Sequence, residues 1–211
     1  MRRIADMRKG QWLFVVISAA VVSAYAAAAL LVPSFRPPLV RARLQVIPWA
    51  VVGHLSGGAL ALLAGAFQVN ARLRARFLAV HRWVGRLYVV AVAIGGAGAL
   101  VMATRSDGGL VTHVGFGLLA VLWLLTTALS YRAIRGGDQV GHRRWMLRSY
   151  ALTFAAVTLR IYLPIALTAG LPFISAYQAI SWACWVPNLI FVEWWLLRPT
   201  SVRVAPVTAG V

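Results

Sequence analysis

Apolar and polar positions fall in blocks along this chain. Apolar runs occupy roughly residues 11–32, 46–69, 77–104, 109–131, 145–168 and 172–197. Each is long enough for a helix to cross the hydrocarbon core of a bilayer, which takes about 20 residues. The runs are continuous, not alternating, so they predict helices and not the strands of a closed barrel. The pattern therefore predicts an all-α, polytopic bundle of six transmembrane helices. It forms one integral membrane domain over residues 1–211, and the second to fifth helices make its centre. Pro187 and Asn188 interrupt the sixth run and predict a kink there, as Pro164 does late in the fifth.

Composition closes off the alternatives. The 211 residues are 61% hydrophobic and 12% charged, with a mean hydropathy of +0.79. Soluble domains are nearer half apolar and a quarter charged. A soluble enzyme, a disordered tail and a disulfide scaffold are all excluded. The single cysteine, Cys184, lies inside an apolar run and has no intrachain partner. Walker, dinucleotide-fingerprint and HExxH motifs are absent.

The net charge is +17. In a soluble chain this points to nucleic acid, but here the basic residues sit between apolar runs, and nucleic acid is not the expected partner. With six crossings, Arg2, Arg3, Arg8, Lys9, Arg72, Arg74, Arg76, Arg82, Arg86, Arg132, Arg135, Arg143, Arg144, Arg148, Arg198 and Arg203 share one face. Arg36, Arg41, Arg43 and Arg105 share the other, and Arg160 stands alone inside the fifth run. The positive-inside rule puts both termini in the cytoplasm of a bacterial inner membrane, with anionic headgroups as the partner of the basic face. The basic start before the first run resembles a signal peptide. Its apolar stretch is long for one, which favours a retained helix.

Four histidines lie near helix starts. His54 and His113, in the second and fourth runs, share the outer layer; His81 and His142, in the third and fifth, share the inner layer. Paired imidazoles on facing helices are one way to hold a haem iron in a bundle. Three of the histidines carry a glycine one turn later, as His54–Gly58, His81–Gly85 and His113–Gly117, which leaves room beside the ring. Glycines at this spacing also serve plain helix packing. The segments His81-Arg82-Trp83-Val84-Gly85-Arg86 and His142-Arg143-Arg144-Trp145-Met146-Leu147-Arg148 form a weak internal repeat, although basic-aromatic edges recur at any membrane interface.

Two charges inside apolar runs are costly. Glu193 has Arg148, Arg86 or a histidine as candidate partners, and Arg160 is placed to hold an anionic group or to snorkel. Asp107 and Asp138 fall in loops.

The segments His54-Leu55-Ser56-Gly57-Gly58 through Gln68, His81 through Tyr88, His142 through Arg160, and Val186-Pro187-Asn188-Leu189 with Glu193 resemble the bacterial membrane family catalogued as domain of unknown function 2306. That family implies architecture and membrane location, not an activity. The histidine layout is also similar, in topology only, to the b-561-type transmembrane cytochromes. This second resemblance implies one or two haem b groups on His54/His113 and His81/His142, with Arg82, Arg86, Arg143, Arg144 and Arg148 toward the propionates. The leading expectation is electron transfer from a quinol or another redox partner. The alternatives are a cofactor-free carrier or binding protein for an anionic or lipid-like molecule, with Arg160 in its site, and an accessory subunit. The last would use Gly58, Ala61 and Gly65 as a partner-helix face.

Overall fold

The structure is a computed structural model and describes residues 9–197. Arg2, Arg3, Arg8, Arg198 and Arg203 lie outside the described residues. The chain forms α1 (Lys9–Leu31), α2 (Pro38–Val46), α3 (Pro48–Gln68), α4 (Ala71–Arg76), α5 (Leu78–Ala103), α6 (Leu110–Arg135), α7 (Gln139–Thr153), α8 (Ala155–Thr168), α9 (Phe173–Ala183) and α10 (Val186–Leu197). There are no strands among the described residues. Five segments are long and apolar enough to cross a membrane: α1, α3, α5, α6, and α7 with α8 taken together as Gln139–Thr168.

The expected sixth helix is not continuous. It is cut at Cys184–Trp185 into α9, of 11 residues, and α10, of 12. The cause is Pro187, which has no N–H and whose ring crowds the carbonyl of the residue four positions back. Asn188 repairs the break by donating from Nδ2 to the Cys184 carbonyl at 3.0 Å and to the Ala151 carbonyl on α7 at 3.2 Å. Pro164, by contrast, sits inside α8 without ending it. The fifth run starts at Gln139, earlier than its hydropathy suggests. Asp138 caps this helix, accepting from the Gly141 N–H at 2.8 Å, as carboxylates at N-caps do.

Two short helices escape a hydropathy reading. α2 starts at Pro38, where a missing N–H costs nothing. Its Val40 and Leu44 pack on the small core formed by Ile47, Ala50 and Val51. α4 is capped by Asn70, whose side chain accepts from the N–H groups of Arg72 and Leu73.

In the bundle, α3, α5, α6 and α7–α8 form the centre, and the closest helix pair is α3 with α5. Glycine permits that approach. A Cβ on Gly57 would lie 2.6 Å from the Ala91 carbonyl and 2.7 Å from the Gly95 nitrogen, and one on Gly98 would meet the Ala50 carbonyl. Close backbone contact of this kind drives association where lipid removes the hydrophobic incentive. Helix α1 covers α3 and touches α8. It is tied down by Trp12 Nε1 donating to the Ala66 carbonyl at 2.9 Å and Ser23 Oγ donating to the Ala59 carbonyl at 3.1 Å. Helices α9 and α10 lie against α6, α7 and α8. Gly65 faces the rings of Tyr150 and Tyr88, and Ala61 is fully buried. Most of the stripe Gly58–Ala61–Gly65 is therefore spent inside the bundle and is not a face for a partner helix.

Candidate functional site

A cavity of about 200 Å³ opens between α1, α3, α5, α6 and α8. Its walls are mainly apolar, with Gly58, Ala59, Leu62, Leu119, Ala120, Trp123, Leu152 and Ala156 among them. Arg43 and Ser106 come from α2 and the α5–α6 loop, and Trp123 and Thr153 from the middle of α6 and the end of α7. His54 and Arg160 also line it.

Arg160 is the unusual group. Its Nη1 donates to the Ala156 carbonyl at 2.9 Å, one turn back on the same helix. Its guanidinium carbon lies 5.2 Å from the centre of the Tyr25 ring on α1, a cation–π contact. Its Nε is buried and has no hydrogen-bond partner among the described residues. His54 lies near enough to feel its charge. The His54 ring donates from Nδ1 to the Gly95 carbonyl on α5 at 3.1 Å. That bond fixes the neutral ring as the Nδ1–H tautomer and leaves Nε2 with a free lone pair.

The other acids are already engaged. Asp107 takes Arg43 of the cavity wall at 2.6 Å. Glu193 takes Arg148 in a two-pronged pair, with Nη2 to Oε2 at 2.8 Å and Nε to Oε1 beside it. Of the candidate partners for Glu193, the structure selects Arg148. Asp138 caps α7. No carboxylate among the described residues is paired with Arg160.

The four histidines have separate surroundings. His113 is absent from the cavity walls and donates from Nε2 to the Ser106 carbonyl at 3.0 Å. His81 fronts a separate recess of about 170 Å³ with Gln68, Arg74 and Phe77. His142 is not part of that recess; its Nδ1 meets the Ser130 hydroxyl at 2.8 Å and the Ser130 carbonyl at 3.1 Å. His81 and His142 are close enough to interact electrostatically, and Arg82 and Arg74 are charged neighbours of His81. Neither cavity is walled by both members of a pair. No group of three or more His, Cys, Asp or Glu side chains placed to hold a metal ion occurs among the described residues. A Cβ on Gly58 or Gly117 meets nothing within 4 Å, and one on Gly85 only the Gln68 side chain at 3.9 Å.

The internal repeat has a structural counterpart. Arg86 lies 4.6 Å from the Trp83 ring and Arg148 lies 4.7 Å from the Trp145 ring, each stacked on the tryptophan three positions before it. These arginines are thus committed to indole faces, and Arg148 also to Glu193.

Sequence reasoning missed a buried polar cluster, two of whose members, Trp123 and Thr153, line the cavity. Tyr88 Oη meets Ser149 Oγ at 2.7 Å and Thr153 Oγ1 at 2.8 Å. Trp123 Nε1 donates to Thr153 Oγ1 at 2.8 Å, and Thr127 Oγ1 meets Ser149 Oγ at 2.7 Å. All five side chains are buried. Their only sequence signal is the i, i+4 pairs Trp123/Thr127 and Ser149/Thr153 on helices that share a loop.

The fold and cavity define a helical integral membrane protein with a polar-edged site in its interior. The chain belongs to the family described as "Predicted membrane protein (DUF2306)", which matches residues 51–196, from α3 to α10. No curated protein and no solved structure matches it.

Proposed function

We propose that this protein binds a small amphiphile in the cavity between α3, α6 and α8, acting as a cofactor-free carrier or binding protein within the bilayer. The supporting observation is the cavity, apolar for most of its wall and edged by two convergent polar side chains, Arg160 and His54. Small-molecule sites have this make-up. Ionisable residues turned to a bundle interior mark ligand or ion paths. In this reading α9 and α10 together supply a sixth crossing, since their 11 and 12 residues span about 35 Å at 1.5 Å per residue. Both termini then share the basic face, which lies in the cytoplasm of an inner membrane against anionic headgroups.

The test is thermal unfolding of the purified protein in nanodiscs with and without 1-octanol or octanoate. Stabilisation by either is expected in the wild type. It is lost in Gly58→Leu, whose side chain enters open space in the cavity. No stabilisation by either probe, or full stabilisation of Gly58→Leu, would refute the reading.

A second reading is haem b held by His81 and His142. It is favoured by the engagement of His142 Nδ1 with Ser130, which leaves Nε2 as a ligand atom, and by His81 lying within electrostatic range of His142. Such a group would supply one-electron chemistry, with a quinol or other redox partner. Reduced-minus-oxidised spectra of protein from haem-replete cells decide it: an α band that His81→Ala removes supports haem, and a colourless protein ends the idea.

A further inference from the structure

We infer that the cavity's ligand is a monoanion: a small amphiphile with a single carboxylate or equivalent oxyanion head, held by Arg160, its apolar end against Trp123. This rests on the reading of the cavity as a ligand site and adds the chemical class of the ligand.

The first argument is charge. A guanidinium inside a bundle is tolerated when an anion or a full set of acceptors meets it. Arg160 has one carbonyl acceptor, on its own helix, and an aromatic face. Its buried Nε–H is unsatisfied on the wall of a cavity. Every described carboxylate is taken elsewhere: Asp107 by Arg43, Glu193 by Arg148, Asp138 by the start of α7. An incoming carboxylate supplies both the missing charge and the missing acceptor, through a charge-assisted hydrogen bond.

The second argument is polarity along the cavity. Arg160 is seven residues beyond Thr153 along α7–α8, about 10 Å at 1.5 Å per residue. Leu62, Ala120 and Leu152 wall the stretch toward Trp123 and Thr153. The polar atoms of Trp123 and Thr153 are spent within their cluster, since Trp123 Nε1 donates to Thr153 and Thr153 meets Tyr88. That stretch therefore offers an apolar surface, and the head belongs beside Arg160 with the tail toward Trp123.

The third argument is size. A dry cavity of about 150 Å³ holds benzene, so about 200 Å³ suits a ligand on the order of ten heavy atoms. Octanoate and 1-octanol are matched probes that differ in the head.

The experiment is isothermal titration of the full chain in phosphatidylcholine nanodiscs with octanoate and with 1-octanol, at neutral pH. Empty nanodiscs provide the partition baseline. The wild type is expected to bind octanoate at least tenfold more tightly than 1-octanol. Arg160→Gln is expected to lose that preference, with octanoate at least tenfold weaker and 1-octanol within twofold of wild type. Arg160→Lys is expected to keep part of it. Equal binding of acid and alcohol by the wild type, or an undiminished preference in Arg160→Gln, overturns the inference. If Arg160→Gln does not fold, the wild-type ratio decides alone. Binding of 1-octanol without preference for octanoate removes only the anionic head; absence of binding by both removes the cavity reading as well.

Discussion

Arg148 on α7 grips Glu193 on α10 with both arms of its guanidinium while its flat face rests on Trp145. The pair is only partly buried, with side-chain exposures of 22% and 42%. Solvent screening therefore limits what it contributes. Glu193→Ala is expected to cost about 1–2 kcal/mol, read as a fall in the thermal unfolding midpoint. Arg148→Lys is expected to cost as much, because lysine reproduces neither the two-pronged pair nor the stacking. A double variant no worse than either single one establishes that the two residues act together; strictly additive losses refute it.

Adjacent glycines on α3 are expected to behave oppositely. A Cβ on Gly57 runs into backbone atoms of Ala91 and Gly95, which cannot step aside without parting α3 from α5. Gly57→Ala is expected to cost more than about 2 kcal/mol or to prevent folding, an overpacking effect. Gly58→Ala meets nothing within 4 Å and is expected to change stability by less than about 0.5 kcal/mol. Thermal unfolding and folded yield check both, and similar outcomes for the two variants would contradict the packing described.

These two glycines mark the limit of what was legible in the sequence. Hydropathy locates the crossings because every buried backbone group in lipid must be satisfied within its own helix. It cannot say which of two neighbouring glycines faces another backbone and which faces space, since that depends on the rotation of α3 about its axis. The same holds at the site. Arg160 and Glu193 stood out as misplaced charges and Arg148 was one of several candidate partners for Glu193, but the choice among them, and Tyr25 as the platform under Arg160, became visible only with helices packed. The break at Cys184 is one turn before Pro187 because the disrupted carbonyl lies four residues upstream. Helices α2 and α4 have too few residues to register as apolar runs, and their signals are the proline Pro38 at the first position of α2 and the cap Asn70.

The buried hydroxyl cluster should report on the centre of the bundle. Thr153 serves two partners, Tyr88 and Trp123, and Tyr88 serves Ser149 as well. Hydrogen bonds between membrane helices average about 0.6 kcal/mol by double-mutant cycles. Tyr88→Phe is therefore expected to cost about 1 kcal/mol. Thr153→Val, which strands the indole N–H and takes one of the phenol's two partners, is expected to cost more, about 1–2 kcal/mol. A neutral Thr153→Val variant would mean that these groups find other partners and that the cluster does not hold α5, α6 and α7 together.

Asn188 carries the repair of the broken segment. Its amide reaches the carbonyls of Cys184 and Ala151 and the Thr158 hydroxyl, joining α10 to α7 and α8. Asn188→Leu removes all of these contacts. A loss of about 2 kcal/mol or more in thermal unfolding is expected. Asn188→Asp keeps the size but loses the donors and adds a charge facing carbonyls, so it is expected to be the worse of the two. If both variants unfold like the wild type, the pairing of α10 with α7 and α8 does not depend on this residue.

The proposed six crossings predict which loops share a side of the membrane. Thr104 follows α5 and Gln139 opens α7, and both are exposed. Helix α6 lies between them, so they must be on opposite faces. Cys184 is buried, and Cys184→Ala yields a cysteine-free background for labelling. In that background Thr104→Cys is expected to react with a membrane-impermeant maleimide on intact cells. Gln139→Cys is expected to react only after the membrane is opened, because its end carries the basic residues Arg132, Arg135, Arg143 and Arg144 that the cytoplasm retains. The reverse labelling would invert the orientation and leave the bundle intact. Equal labelling of both sites on sealed cells would deny that α6 crosses the membrane.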